Sequence, residues 1–338
     1  MNLNTRSEKP EPSNPTQPHQ MTVSHRVVKR YADRMLMIVQ NYRNGKFSVR
    51  DVPAALAHPE GLLVRTRSSL VSAGTERLIT QTAKKSLIGK ARARPDLVRM
   101  VLQKARTDGL KETYRAVQGR LHQTILLGYS SSGIIEEVSP GVTDFEVGDR
   151  VACFGAEYAS HAELVGVPAA LACKIPESVD FEEAAFAGVG AIALHSINHG
   201  SVSSGQKVVV IGLGLLGTIA VQILVARGCE VYGVEPNYRR ETLAKSLGAR
   251  EVLSPEEANR STALTLNDNF NNFTHAFIFA SSKSSGPVTS ASQMLGNRGK
   301  LIVPGMVGLD LTRHLFYEKE IELVIPRSAG PGRCSWRD

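Results

Sequence analysis

The residues best spaced to do chemistry lie between Lys207 and Gly217, which read KVVVIGLGLLG. Gly212, Gly214 and Gly217 have the G-x-G-x-x-G spacing, directly after the β-branched run Val208 to Ile211 and directly before an apolar stretch from Leu215 to Arg227. That order predicts a buried strand, a tight turn and a helix packed on its own strand. Each glycine has a physical role. Gly212 turns the chain, Gly214 leaves room for a pyrophosphate against the backbone, and Gly217 lets helix and strand come close. The N–H groups of Leu215 and Leu216, opening the helix, would face the phosphates. A second strand, Glu230 to Val234, ends at Glu235, where a carboxylate can bind both hydroxyls of an adenine ribose and repel a 2′-phosphate. This favours NAD(H) over NADP(H), while Arg239 and Arg240 weaken the preference because an arginine there can accommodate the phosphate. Arg240 and a later glycine, Gly305, complete the expected cofactor-binding set. The bland alternative is a glycine-rich turn that holds no ligand.

The rest of the chain must position this turn. Strands alternate with helices around it: a helix over FEEAAFAGVGAIALHSINHG, a helix Arg239 to Leu247, a strand Ala276 to Ala280, a helix Val288 to Leu295 and a strand Lys300 to Val303. Residues 181–325 therefore read as an α/β unit with a doubly wound parallel sheet. Residues 34–180 carry short β-rich runs bounded by Gly, Pro or Asn, such as MLMIVQNY, GLLVRTRSSLVSAGTE and VGDRVACFG, which predict a partly open β-barrel. Within them, residues 84–123 read as a basic helical hairpin. Pro95 and Asp96 start its first helix, and Leu97, Val98, Val101, Leu102 and Ala105 form a stripe. Gly109 stops that helix, and Leu110, Tyr114, Val117 and Leu121 form a second stripe; both should dock on the barrel. Residues 1–33, rich in Pro, Ser, Thr, Asn and Gln, are expected to be a disordered extension, and residues 326–338 an irregular, truncated tail.

The formal charge of +8 is concentrated, since Lys84 to Arg120 holds eleven Lys or Arg against three acids and the remainder is balanced. This cationic face reads either as a solvated helix surface or as an anion site for a phosphate- or carboxylate-bearing substrate. Without aromatics interleaved among the charges, nucleic acid is disfavoured. At 338 residues, 42% of them apolar, two domains are the natural expectation. No apolar run reaches the length of a membrane span and the first residues are too polar for a secretory signal, so the expected location is cytoplasmic. Cys153, Cys173, Cys229 and Cys334 show neither a C-x-x-C pair nor metal-ligand spacing and read as reduced thiols.

The order of parts resembles the medium-chain dehydrogenase/reductase superfamily, in which a GroES-like barrel precedes a Rossmann domain. The resemblance runs from about Met35 to Ile325 and is carried by GLLVRTRSSLVSAGTE, LGYSSSGIIEEV, GVTDFEVGDRVA, EEAAFAGVGAIALHSI and VVVIGLGLLG. AGTERLITQTAKKSLIGKARARPDLVRMVLQKARTDG and FYEKEIEL are similar to bacterial bi-domain oxidoreductases, whose chains continue into a second dehydrogenase domain. The resemblance implies a nicotinamide cofactor and hydride transfer to or from a carbonyl or hydroxyl held between the two domains. Zinc-type members carry metal ligands at three positions that hold Ala73, Tyr129 and Gly188 here, and their four-cysteine zinc lobe is absent, so no metal is expected. Thr75 falls where the family's proton-relay hydroxyl sits and Tyr129 where the metal histidine sits. The two are the expected catalytic donors to a developing oxyanion, with a fold-supporting role as the alternative. Glu76 is expected to pair with Arg77 or backbone, His161 to be a strand residue, and His195 and His199 to lie on or after a helix.

The resulting expectation is a zinc-independent NAD(P)-dependent oxidoreductase acting on a small molecule, anionic or sugar-derived. Its alternatives are a zinc-type alcohol, polyol or threonine dehydrogenase, and a non-catalytic dinucleotide-binding module or truncated partner. A homo-oligomer follows only from the resemblance.

Overall fold

The computed structural model describes residues 34–72, 74, 76, 95–109, 111–115, 124–264 and 272–330. Thr75 and Ala73, the N-terminal extension, half of the basic hairpin and the last eight residues of the tail lie outside the described residues.

The first part of the chain is antiparallel: β1 (Arg34–Asn41), β2 (Phe47–Pro53), β3 (Gly61–Ser69), β4 (Thr124–Leu126), β5 (Ser130–Val138), β6 (Arg150–Phe154), β7 (Leu164–Pro168) and β8 (Ala172–Lys174). They form two sheets, ordered β2-β1-β4 and β7-β3-β5-β6-β8. A bridge between Met37 and Ala162 and a bond from Ile38 N to His161 O, 2.8 Å, join them. Inside lie Leu62, Leu63, Val64, Ile135, Val151, Leu164, Val165 and Val167. This is the expected partly open barrel.

Helix α1 (Pro95–Thr107) is the first helix of the expected hairpin. Its stripe is not covered as expected: Val101 is 39% exposed and Leu102 58%, and Tyr114 of the second stripe stands exposed as well. Periodicity tells which side of a helix is apolar, not whether the surface that would cover it is offered by the barrel.

A short α2 (Phe181–Ala184) and a longer α3 (Ala187–Gly200) replace the single helix expected over this stretch. Asp180 and Glu183 form a reciprocal capping box that starts α2. The helix breaks because the Ala185 carbonyl is taken by Ser130 Oγ, 2.5 Å away, instead of continuing the ladder.

There follow β9 (Lys207–Ile211), α4 (Leu215–Ala226), β10 (Glu230–Val234), α5 (Tyr238–Ser246), β11 (Glu251–Leu253), α6 (Pro255–Leu264), β12 (Phe273–Ile278), α7 (Gly286–Met294), β13 (Leu295–Ile302), α8 (Arg313–Lys319) and β14 (Glu322–Val324). All six strands are parallel, in the order β11-β10-β9-β12-β13-β14. Val208 and Val210 pack into one layer with Leu224 and Phe277; Val209 and Ile211 pack into the other with Phe273 and Met294. Burial on both faces explains the unbroken β-branched run. The strand order reverses between β9 and β12, and in such sheets ligands bind at the carboxyl ends beside that reversal. Among the described residues no helix is long and apolar enough to cross a membrane.

Candidate nucleotide-binding and active site

At the end of β9 the chain turns at Gly212, whose φ of 88° lies in the left-handed region. A Cβ there would sit 2.6 Å from Ala280 N, and one at Gly217 would sit 2.0 Å from Gly212 O. Both positions therefore require glycine. Gly214 is different: nothing lies within 4 Å of where its Cβ would point, so the turn is open on that side. It also caps α4 without a side-chain bond, and by helix geometry the N–H groups of Leu215, Leu216 and Gly217 have no intrahelical acceptor.

Glu235, 3% exposed, closes the far side of the turn. Its Oε2 accepts from Leu213 N at 2.8 Å and its Oε1 from Asn237 N at 3.1 Å. Arg240 Nη1 stands 3.6 Å from Oε1. Gly305 closes the third side, donating to Ile278 O at 2.9 Å, and its Cβ would lie 2.3 Å from Ala280 O. Gly212, Gly214, Leu215, Leu216, Gly217, Glu235, Arg240 and Gly305 are thus brought to the carboxyl ends of β9, β10, β12 and β13. An open turn, free helix N–H groups and a buried acid fit a dinucleotide.

The barrel side gathers around Phe154. Tyr129, half-buried, sets its ring edge-on to that of Phe154, centroids 6.2 Å apart, and its carbonyl accepts from Gly155 N at 2.9 Å. Gly188 lies in the first turn of α3 and donates to Ser130 Oγ at 3.1 Å. A Cβ on Gly188 would meet both Phe154 Cδ2 and Ser130 Oγ at 2.6 Å. A cavity of about 220 Å³ opens between β6, β8 and α3, lined by Cys153, Phe154, Leu171, Gly188, Ala191 and Gly330 among others. Burial pushes the Cys153 thiol up to about 12 and raises Cys173 as well, so neither is a thiolate at neutral pH. A phenol and a glycine whose side-chain space is already filled do not fit a zinc ion. Among the described residues, no three His, Cys, Asp or Glu side chains are disposed to hold a metal.

One expectation is met in part and one is corrected here. Glu76 does pair with backbone, its Oε1 accepting from Ser72 N at 3.2 Å, but the same oxygen also meets His161 Nε2 at 3.1 Å, while Arg77 lies outside the described residues. His161 is not in a strand but in a bend just ahead of β7, where its Nδ1 faces Ser69 Oγ at 2.9 Å and its side chain is buried. Partners 85 and 92 positions away leave no local mark in a sequence. His195 and His199 do lie on α3, rings 4.5 Å apart, and burial with the neighbouring imidazole lowers the pKa of His195. Lys319, for which the residue pattern suggests no role, caps the end of α7 through the carbonyls of Ser292 at 3.2 Å, Gln293 at 2.7 Å and Leu295 at 2.7 Å.

An antiparallel barrel joined to a six-stranded parallel sheet, with a glycine turn at the reversal of strand order, defines a class of two-part dinucleotide-binding proteins. Known proteins narrow it. The family model for zinc-binding dehydrogenases matches residues 216–325, and that for the alcohol dehydrogenase GroES-like domain matches residues 102–177. The first stretch contains none of Ala73, Tyr129 and Gly188, so its description does not bear on a metal in this chain. An alcohol dehydrogenase of Geobacillus stearothermophilus is 32% identical over 160 residues, 39% of this chain and 48% of that one. The structure of galactitol-1-phosphate dehydrogenase from Escherichia coli has a TM-score of 0.66 at 20% identity, covering 87% of this chain and 83% of the other. That of mycobacterial Rv1454c complexed with NADPH has a TM-score of 0.66 at 20% identity, covering 90% and 86%. The chain belongs to the medium-chain dehydrogenase/reductase superfamily and is similar to its zinc-type alcohol dehydrogenases. It spans about half the length of the curated relatives it matches.

Proposed function

We propose that this chain is a zinc-independent NAD(P)-dependent oxidoreductase that transfers a hydride to or from a carbonyl or hydroxyl carbon, residues 34–180 holding the substrate and residues 181–325 the cofactor. The observation that carries the reading is the turn left open at Gly214 opposite the buried Glu235. A nicotinamide bound there supplies or accepts the hydride. The chain's own residues do the rest. The N–H groups opening α4 hold the diphosphate, and Glu235 holds the ribose hydroxyls. Its carboxylate also places a negative charge where a 2′-phosphate would sit, which supports NAD(H) as the preferred cofactor. Arg240, with Nη1 3.6 Å from Glu235 Oε1, is drawn toward that carboxylate, which supports the same preference.

On the barrel side Tyr129 donates a hydrogen bond to the oxygen on which negative charge develops, a role that zinc fills in the metal-dependent relatives. Thr75 is the second donor on the strength of the resemblance. Gly188, with Phe154 and Ser130 in the space a ligand would need, supports a reaction without zinc. Among the described residues lining the cavity none is charged, which supports a substrate whose reacting end is small and neutral, any anionic part lying elsewhere.

Fluorescence titration with NADH, metal analysis, and turnover across a panel of carbonyl compounds and quinones test the reading together. NADH should bind and zinc should be well below one per chain. Tyr129→Phe and Thr75→Ala should each lower kcat about 100- to 1,000-fold, the range for a lost oxyanion donor, with NADH affinity within about twofold. Zinc near stoichiometry would overturn the metal-free mechanism. Binding of NADH without turnover on any substrate would favour the non-catalytic module.

A further inference from the structure

Tyr129 has no bulky neighbour in sequence to hold it, since Gly128 precedes it and Ser130 follows. The structure supplies the missing support from a distant segment. Gly128 adopts a φ of 87° and is buried, and a Cβ on it would collide with the His161 ring and with His161 N, each at 2.9 Å. The ring of His161 therefore packs directly against the peptide that leads into Tyr129. His161 N also donates to Leu127 O at 2.8 Å, one residue before that glycine, and its carbonyl accepts from Ile38 N at 2.8 Å.

The ring is itself fixed at both nitrogens. Glu76 Oε1 lies 3.1 Å from Nε2, and Ser69 Oγ, at the end of β3, lies 2.9 Å from Nδ1. A carboxylate accepts, so Nε2–H donates to Glu76, and Nδ1 pairs with the Ser69 hydroxyl, which can donate or accept. Both ring nitrogens are thus paired, which is the condition for such a buried network to hold one geometry. Glu76 is anchored in turn through Ser72 N. A phenylalanine or leucine at position 161 would satisfy packing but remove the ring nitrogens that the carboxylate and the hydroxyl meet.

We infer that His161, locked between Ser69 and Glu76 and seated against Gly128, is a positioning residue that sets the backbone from which the Tyr129 side chain leaves the barrel. It acts through Tyr129 and touches neither cofactor nor substrate. The inference rests on the reading of Tyr129 as the oxyanion donor, and it predicts that the ring shifts when either end of the clamp is released. A displacement of about an ångström in a donor is enough to cost up to a hundredfold in rate.

The test places 3-fluorotyrosine at position 129 of the full chain and follows its fluorine resonance in the wild type and in His161→Gln, Glu76→Ala and Glu76→Gln, with thermal unfolding as a check on folding. The resonance should move or broaden in His161→Gln and Glu76→Ala and stay in place in Glu76→Gln, which keeps an acceptor for Nε2. In parallel, kcat should fall about 10- to 100-fold in the first two with NADH affinity unchanged, and Tyr129→Phe should cost less on the His161→Gln background than alone. A resonance that stays put in His161→Gln and Glu76→Ala, whatever happens to their melting temperatures, overturns the inference. If the resonance moves but the wild type turns over no substrate, the positioning role stands and the oxidoreductase reading falls.

Discussion

In the proposed function, Glu235 is the residue that decides between two cofactors differing by one phosphate. Replacing it with Ser removes the buried negative charge and releases Arg240, so NADPH should gain on NADH by about tenfold, or about 1.4 kcal/mol, read by fluorescence titration of both. The same variant loses the acceptor for Leu213 N, which loosens the turn for either nucleotide. Gly188 gives the converse test of the metal question. Gly188→Cys restores a thiol at a position where the zinc-type relatives have a ligand, yet its Cβ must displace Phe154 and Ser130. It should cost about 1–3 kcal/mol in urea unfolding and recruit no zinc. Gly212, Gly214, Gly217 and Glu235 were readable as a set because their roles depend on backbone shape over a short stretch. The His161–Glu76–Ser69 cluster was not, because nothing near those residues in the chain marks them as partners.

Helices here are started and stopped by particular side chains. Asp180 accepts from Glu183 N at 2.7 Å to begin α2, so Asp180→Ala should lower stability by about 1 kcal/mol, seen as a reduced denaturation midpoint with unchanged NADH affinity. Lys319 closes α7 with three carbonyl bonds, and Lys319→Met should cost about 1–3 kcal/mol by leaving them without a donor. Helices α4, α5 and α7 fall within a residue or two of where the apolar pattern puts them, while α6 and α8 carry no pattern that marks them. Two departures have tertiary causes. The split between α2 and α3 comes from a serine on β5 that competes for a helix carbonyl. The exposed stripe of α1 shows that an amphipathic pattern names a face without naming what covers it.

For the whole molecule, binding and protonation act on one folding equilibrium. NADH at about a hundred times its dissociation constant should stabilise the fold by about 2.7 kcal/mol, a rise in melting temperature that Gly217→Val should abolish. His275, buried in β12 with Nε2 donating to Gly200 O at 2.8 Å, has its pKa lowered by burial from the usual 6.5. The unfolded chain therefore takes up the proton first. Stability from the neutral imidazole is complete above about pH 6.5 and is lost as the pH falls below that value toward the folded pKa. Urea midpoints of wild type should drop over that acidic window more steeply than those of His275→Gln.

The amino-acid sequence alone determined the two-part architecture and the strand-turn-helix with its three spaced glycines, and it shows that Ala73 and Gly188 bring no metal-ligating side chain. These are local matters: strand burial writes β-branched runs, a left-handed turn demands glycine, and alanine and glycine have no side-chain donor atom. Tertiary structure alone decided what fills the space beside Gly188, where α2 gives way to α3, and which side chain holds the peptide ahead of Tyr129. Those outcomes depend on atoms that meet only after the sheets have closed, and chain spacing carries no record of such meetings.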